Sequence, residues 1–300
     1  MGCVIMDGHA LSERLRPQLK RHAEELARRH GCVPGLAAVL VGDEPASEQY
    51  VKNKRKAAAE LGFLAEIHRV DRAEASTESL LRLMAQLNAD PRIHGILLQL
   101  PLPPALDVYR LFDTIDPAKD IDGVGQASVT ALYRGRSEGF LPCTPRGVAA
   151  LLSYYRVPVE GARAVVIGRS DIAGKPLAFL LGGRMCNATV TWCHRHTREL
   201  KELCLGADII AACAGADLGE NFLITAEMVK PGACVIDVGF RRVAPGRFRG
   251  DVDFDRVKEV AGWLTPNPGG TGPMTVTALM QNLIDAARCR LGLGRASYPV

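Results

Sequence analysis

The sequence predicts an α/β protein of two domains, and three features carry the prediction. Short apolar runs alternate with stretches of helical spacing along most of the chain. Between Asp116 and Pro142 that alternation loosens into Pro, Gly, Asp and Ser, which marks a connection. Beyond it an apolar run, a glycine turn, a helix and further apolar runs follow one another as in a doubly wound parallel sheet. A length of 300 residues accommodates two domains of ordinary size. The boundaries expected are 1–141 plus about 274–300 for one domain and 142–273 for the other.

In the first domain, Leu11, Leu15, Leu19 and Leu26 recur at helical spacing between charged residues, which predicts a helix over Leu11 to Arg29. Pro17 removes one intrahelical hydrogen bond, so a kink or a late helix start is expected there. Residues 37–41 read as a short buried strand and 42–46 as a turn; Ser47 is of N-cap type, a helix opens near Glu48, and Gly62 stops it. An extended stretch, 63–70, precedes a helix from about Thr77 with Leu80, Leu81, Met84 and Leu87 on one side, ended by Asp90-Pro91. The run 93–98 has Gln99 at its exit, and the Pro-rich segment from Leu100 to Pro104 cannot continue a ladder.

In the second domain, Thr144-Pro145 supplies a cap and a first helical residue. Strands are expected over 163–167, 188–193, 207–212 and 233–238, with a turn over 168–175 and a helix over 176–181. The tail from Met274 to Arg288 is amphipathic, with Val276, Leu279, Met280, Leu283 and Ile284 apolar, and is expected to pack back on the first domain.

Composition narrows the function. The net charge of +4 arises from 37 basic and 33 acidic residues without a block of one sign, so neither nucleic acid nor a membrane surface is an expected partner. No apolar stretch approaches the roughly 20 residues of a membrane span. The first residues lack the basic start and apolar core of a signal peptide, so a cytoplasmic location is expected. Nine cysteines, an odd number without C-x-x-C spacing, read as reduced, buried small hydrophobes. Cys193-His194-Arg195-His196 has no matching cluster to complete a tetrahedral site, and no metal is expected.

Three segments could carry chemistry. Tyr50 and Lys54 lie four positions apart, on one helical face near a strand's carboxyl end, where open α/β sheets bind ligands. The competing reading puts Lys54 with Lys52, Arg55 and Lys56 on a solvated face. The turn from Gly168 to Pro176 is not a G-x-G-x-x-G fingerprint, yet its glycines and the helix N-terminus beyond suit a phosphate; a plain strand-to-helix turn is the alternative. The strand after it runs into His194-Arg195-His196. With Arg169 this offers two guanidiniums for a 2′-phosphate, which favours NADP over NAD, unless Arg195 is only a surface residue. Pro266 to Pro273 is the densest Pro/Gly segment, either rigid packing or a wall for close approach.

Taken together, the motifs resemble one family. They are Pro45-Ala46-Ser47 with Tyr50-Val51 and Lys54-Arg55-Lys56, Gln99-Leu100-Pro101-Leu102-Pro103, Lys119-Asp120-Ile121-Asp122-Gly123 and Pro142-Cys143-Thr144-Pro145. Gly168-Arg169-Ser170 with Gly174-Lys175-Pro176, Asp237-Val238-Gly239, Gly250-Asp251-Val252-Asp253 and Pro268-Gly269-Gly270 through Gly272-Pro273-Met274-Thr275 follow in order. This series resembles the bifunctional methylenetetrahydrofolate dehydrogenase/methenyltetrahydrofolate cyclohydrolase family over nearly the whole chain.

The resemblance implies an N-terminal α/β catalytic domain, a Rossmann-like NADP-binding domain and a homodimer. It implies hydride transfer from 5,10-methylenetetrahydrofolate to NADP, then hydrolysis of the methenyl cation to 10-formyltetrahydrofolate. Lys54 would be the acid/base residue of the hydrolysis, Gln99 its hydrogen-bonding partner, Tyr50 the residue that orients the folate, and Asp122 the acceptor for the pterin edge. Leu100, Gly269, Gly270 and Pro273 would contact the folate, and Gly168, Arg169, Ser170, Arg195 and the backbone near Phe240 would hold NADP. The chain departs from the family's usual pattern at Val124 to Ser128, at Phe240-Arg241, and at Asn267 and Thr271. The first of these borders the folate site. None of them removes a residue assigned to chemistry.

Overall fold

The structure, a computed structural model, describes residues 2–136, 138–215, 218–244 and 247–298. Strand β1 (Val4–Ile5) and helix α1 (Gly8–His30) lead into β2 (Gly35–Val41), α2 (Pro45–Glu60), β3 (Leu64–Val70), α3 (Thr77–Ala89) and β4 (Gly95–Leu98). Three helices follow, α4 (Val108–Thr114), α5 (Gln126–Tyr133) and α6 (Cys143–Tyr154). The next stretch holds β5 (Arg163–Ile167), α7 (Gly174–Gly182), β6 (Thr189–Cys193), α8 (Leu200–Leu205), β7 (Ile209–Ala212) and β8 (Cys234–Asp237). Last come β9 (Arg241–Ala244), β10 (Arg247–Arg249), α9 (Phe254–Val257), β11 (Trp263–Leu264) and α10 (Thr271–Arg290). No described helix is long and apolar enough to cross a membrane.

Two compact units result. One takes Leu15–Cys143 and the chain from Val276 on; the other takes the chain up to Arg14 and Thr144–Thr275. In the first, β2 lies between β3 and β4, all parallel. Every residue of β2 is buried, as befits a strand covered on both faces, and this is why it reads as an unbroken apolar run. Leu36, Ala38 and Leu40 share a cluster with Leu97 and with Leu279, Leu283 and Ile284 of α10. Ala37, Val39 and Val41 share another with Ile96, Leu98 and Leu80 and Met84 of α3. The C-terminal helix therefore covers one face of the first domain's sheet, as its amphipathic pattern predicts.

The second unit is a six-stranded sheet in the order β1-β11-β8-β7-β5-β6, with every pairing parallel. Strand β5 is flanked by β6 on one side and β7 on the other, so the order reverses direction at β5. In doubly wound sheets that reversal opens the ligand crevice at the strands' carboxyl ends. Val4 and Ile5 pair with Trp263 and Leu264 at the far edge of this sheet. The opening residues, expected in the first domain, thus pair with the second unit's sheet, through a pairing that spans most of the chain and leaves no local signal.

Local differences have identifiable causes. Helix α1 starts at Gly8 and runs through Pro17, with the Asp7 carboxylate accepting the Ala10 N–H at 2.9 Å at its start. Buried Leu15, Leu19 and Leu26 hold the helix across the missing hydrogen bond. Ser47 is not the cap of α2. Glu44 is, its carboxylate accepting the Ser47 N–H at 2.7 Å, with Pro45 at the first helical position. At the other end Gly62 has φ 77°, and the Gly62 and Phe63 N–H groups bond back to Ala59 and Ala58, a Schellman closure. The loose segment from 116 to 142 contains α5, and the stretch after the Pro-rich segment contains α4.

Candidate active site

In the first unit, β2 feeds α2 through a turn at Gly42, and the parallel pairing of β2 with β4 brings Gln99 out at the same edge of the sheet, its N–H bonded to the Val39 carbonyl. Lys54 Nζ donates to Gln99 Oε1 at 3.1 Å. The Gln99 amide donates in turn to the Leu100 carbonyl at 2.6 Å, which also accepts from Ser47 Oγ at 3.4 Å. Gln99 is 8% exposed. Of the four basic residues in this stretch, only Lys54 is partly buried; Lys52, Arg55 and Lys56 are exposed, with Lys52 against Glu48 and Lys56 against Glu60. Lys52, Arg55 and Lys56 thus lie on a solvated face, and Lys54 is set apart from them. One turn before Lys54, the Tyr50 phenol is pushed up to about 12 by burial, with Glu44 adding to it, so it is neutral at physiological pH.

Asp122 is half-buried at the head of a loop whose neighbours are fixed. Lys119 Nζ donates to three carbonyls, Leu87, Asn88 and Asp90, at the end of α3. Asp120 accepts the N–H groups of Val124 and Gly125 at 3.1 and 3.0 Å. Burial pushes its carboxyl up to about 6 against those bonds. Asn282 of α10 donates to the carbonyls of Ile121 and Leu141 at 2.7 and 3.0 Å. At Gly123 (φ 71°) a Cβ would lie 2.7 Å from the Phe140 carbonyl oxygen, so the residue after Asp122 has to be glycine. Sequence reasoning passed over Asp120, Lys119 and Asn282 as site supports. An acid and a lysine set against the apolar Ile121 were the available signal.

In the second unit, Gly168 follows β5 at the point where the strand order reverses. It has φ 135°, and a Cβ there would sit 2.5 Å from the Cys213 carbonyl oxygen; one at Gly174 would sit 2.4 Å from the Gly168 carbonyl oxygen. Arg169 and Ser170 are exposed on this turn, and Ser170 Oγ accepts the Gly174 N–H at 3.2 Å where α7 begins. Arg195, exposed beyond β6, donates through Nε to His196 at 3.2 Å. Phe240, 38% exposed, stacks on Phe248 at 4.5 Å. The Pro/Gly loop is tightly packed: the Gly269 carbonyl accepts the His9 N–H at 3.0 Å, and a Cβ at Gly8 would collide with the Gly270 carbonyl oxygen at 1.8 Å. Pro273 falls in the first turn of α10.

A doubly wound sheet with a glycine turn at its reversal, and a separate parallel layer carrying a Tyr, Lys and Gln cluster, define a dinucleotide-binding enzyme of two α/β units. Residues 6–122 match the tetrahydrofolate dehydrogenase/cyclohydrolase catalytic domain, and residues 142–291 match the NAD(P)-binding domain of the same family. The chain belongs to the tetrahydrofolate dehydrogenase/cyclohydrolase family. It is 50% identical over 292 residues to the bifunctional protein FolD of Paracidovorax citrulli, covering 97% of this chain and 100% of that one. It is 49% identical over 292 residues to the bifunctional protein FolD 2 of Frankia casuarinae, covering 97% and 98%. Among solved structures, the bifunctional enzyme FolD of Campylobacter jejuni superposes with a TM-score of 0.91 at 40% identity, covering 96% of this chain and 99% of that one. The methylenetetrahydrofolate dehydrogenase-cyclohydrolase of Trypanosoma brucei, complexed with NADP cofactor and inhibitor, gives 0.91 at 36% identity, covering 97% and 99%.

Proposed function

We propose that this chain oxidises 5,10-methylenetetrahydrofolate to 5,10-methenyltetrahydrofolate with NADP and hydrolyses the product to 10-formyltetrahydrofolate. The hydrogen bond from Lys54 Nζ to Gln99 Oε1 carries the reading, because it is a neutral clamp on an amine at the ligand-binding edge of a sheet. A carboxylate there would favour the charged ammonium; an amide orients the amine without adding charge. Water attacks the methenyl carbon and gives a proton to the Lys54 amine. The ammonium returns that proton to N5 of the folate as the carbon–N5 bond breaks, and the new hydroxyl loses its proton to solvent. Tyr50, kept as a phenol, packs against and orients the folate. Asp122 accepts from the pterin's amino and N–H donors, and Leu100, Gly269, Gly270 and Pro273 are further folate contacts.

The residues of the second unit suit NADP. The Gly168 to Gly174 turn brings backbone to within the space of a side chain, and α7 begins beside exposed Arg169 and Ser170. Gly168, Arg169 and Ser170 would hold phosphate, Arg195 with Arg169 the 2′-phosphate, and the backbone near Phe240 the rest of the dinucleotide. The bound cofactor supplies the hydride acceptor; this chain's part in that step is to position and to exclude water. The relative from Trypanosoma brucei complexed with NADP supports the choice. A homodimer acting in the cytoplasm belongs to the same reading, and a mass of one subunit in light scattering would contradict the dimer.

Separate assays test the proposal. Lys54→Met should lose methenyl decay by at least about a hundredfold while NADP still binds, and wild type should reduce NADP faster than NAD. Full cyclohydrolase turnover in that variant would remove Lys54 from the chemistry.

A further inference from the structure

The second unit contains two buried carboxyl groups that the proposed chemistry does not use. Asp237, 2% exposed, is the last residue of β8; Asp251, 1% exposed, follows β10. Asp237 accepts the Asp251 N–H on Oδ1 at 3.0 Å and the Val252 N–H on Oδ2 at 3.2 Å. Asp251 Oδ2 accepts the N–H groups of Ala214 and Gly215 at 2.8 and 2.9 Å, just beyond β7. Its Oδ1 is buried with no hydrogen-bond partner among the described residues. Glycines make room for both groups: a Cβ at Gly239 would lie 2.1 Å from the Asp251 carboxyl carbon, and one at Gly250 1.8 Å from Asp237 Oδ2.

The pair sits against the dinucleotide turn. Cys213, whose next two N–H groups Asp251 holds, presents the carbonyl oxygen that leaves no room for a side chain at Gly168. On the other side Thr265 Oγ1 accepts the Asp237 N–H at 2.7 Å, and Asn267 donates to the Gly239 carbonyl at 2.5 Å. The two carboxyls thus tie the segments after β7, β8, β10 and β11 together at the sheet's carboxyl edge.

We propose that Asp237 and Asp251 are positioning residues for NADP, which lock the Cys213–Gly215 segment behind the Gly168 turn. The proposal rests on the NADP reading above. A proton on Asp237 leaves no second charge beside the Asp251 carboxyl that accepts the Ala214 and Gly215 N–H groups. Burial pushes the Asp237 carboxyl up to about 7, and the charge of Asp251 adds to that. The groups facing Asp237 are Asp251 from beyond β10, Asn267 from beyond β11, and Cys213 at the end of β7, whose thiol burial pushes up. Loss of the proton places a carboxylate against the Asp251 carboxyl, whose Oδ1 has no hydrogen-bond partner among the described residues, and the segment loosens.

NADP titrated calorimetrically into wild type, Asp237→Asn and Asp251→Asn, at about pH 6 and about pH 8.5, tests this. Wild-type affinity should weaken about tenfold over that range beyond any change in Asp237→Asn, and Asp251→Asn should bind about tenfold more weakly at both values. The 2′-phosphate and the histidines near Arg195 titrate alike in wild type and Asp237→Asn, so the difference isolates Asp237. Amide exchange at Ala214 and Gly215, corrected for intrinsic rate, should quicken with pH in wild type only. If Asp251→Asn does not fold, the comparison of wild type with Asp237→Asn decides. Identical pH profiles in those two proteins overturn the inference while the NADP reading stands; a wild type that binds no NADP overturns both.

Discussion

Lysines in this chain differ by what they face, not by their neighbours in sequence. Lys54 meets one amide oxygen and stays partly open, as the proton-transfer role proposed for it requires. Lys119, 7% exposed, stands in an equally suggestive motif but directs its ammonium at the carbonyls of Leu87, Asn88 and Asp90. Helices end with carbonyls that have no partner of their own, and here a lysine from a later loop serves the end of α3. Replacing it with methionine keeps the stem but leaves buried acceptors unpaired. Lys119→Met should therefore lower stability by about 2–4 kcal/mol in urea unfolding, with folate KM raised only as far as the neighbouring Asp122 loop moves. Unchanged stability would mean the carbonyls find water or other donors, and the lysine is not a cap.

At the scale of elements, what was legible depended on whether the signal was local. Strands β2, β5 and β8 are buried on both faces and so appear as apolar runs that need no partner to be recognised. Gly62 declared the end of α2 because only a residue comfortable at φ 77° closes that helix. The start of α2 misled because Ser47 is of better cap type than Glu44, yet Pro45 fits the first helical position and the longer Glu44 side chain still reaches the Ser47 N–H. Helices α4 and α5 were hidden by turn-rich surroundings, and β1 by its brevity. The pairing of Lys54 with Gln99 was implied by the family resemblance, and parallel strands that end at one sheet edge bring the two together. The carboxyls of Asp120, Asp237 and Asp251 were not legible, since burial of a short acid depends on glycines and backbone folded around it from elsewhere in the sequence.

Across the whole molecule, each unit buries a carboxyl group held well above its ordinary value. Asp120 reaches about 6 in one unit and Asp237 about 7 in the other, burial being the main cause in both. In the unfolded chain both ionise near 3.8, the ordinary value for an aspartate, so the native state holds more protons between that pH and the raised values. Their stabilising contribution is complete below the unfolded value and is lost as pH rises through about 6 and about 7. Burial lowers His22 and His94, which acts in the opposite sense by penalising the acid side, so the wild-type curve alone mixes the two. Asparagine variants separate them, because the histidines are common to all. Between about pH 5 and pH 8 wild type should lose on the order of 1 kcal/mol relative to Asp120→Asn and 3 kcal/mol relative to Asp237→Asn. Chemical unfolding of the three proteins at both pH values measures it. A wild-type curve parallel to both variants would show that neither carboxyl carries a proton in the native protein even at about pH 5, and that backbone N–H donors outweigh burial at each site.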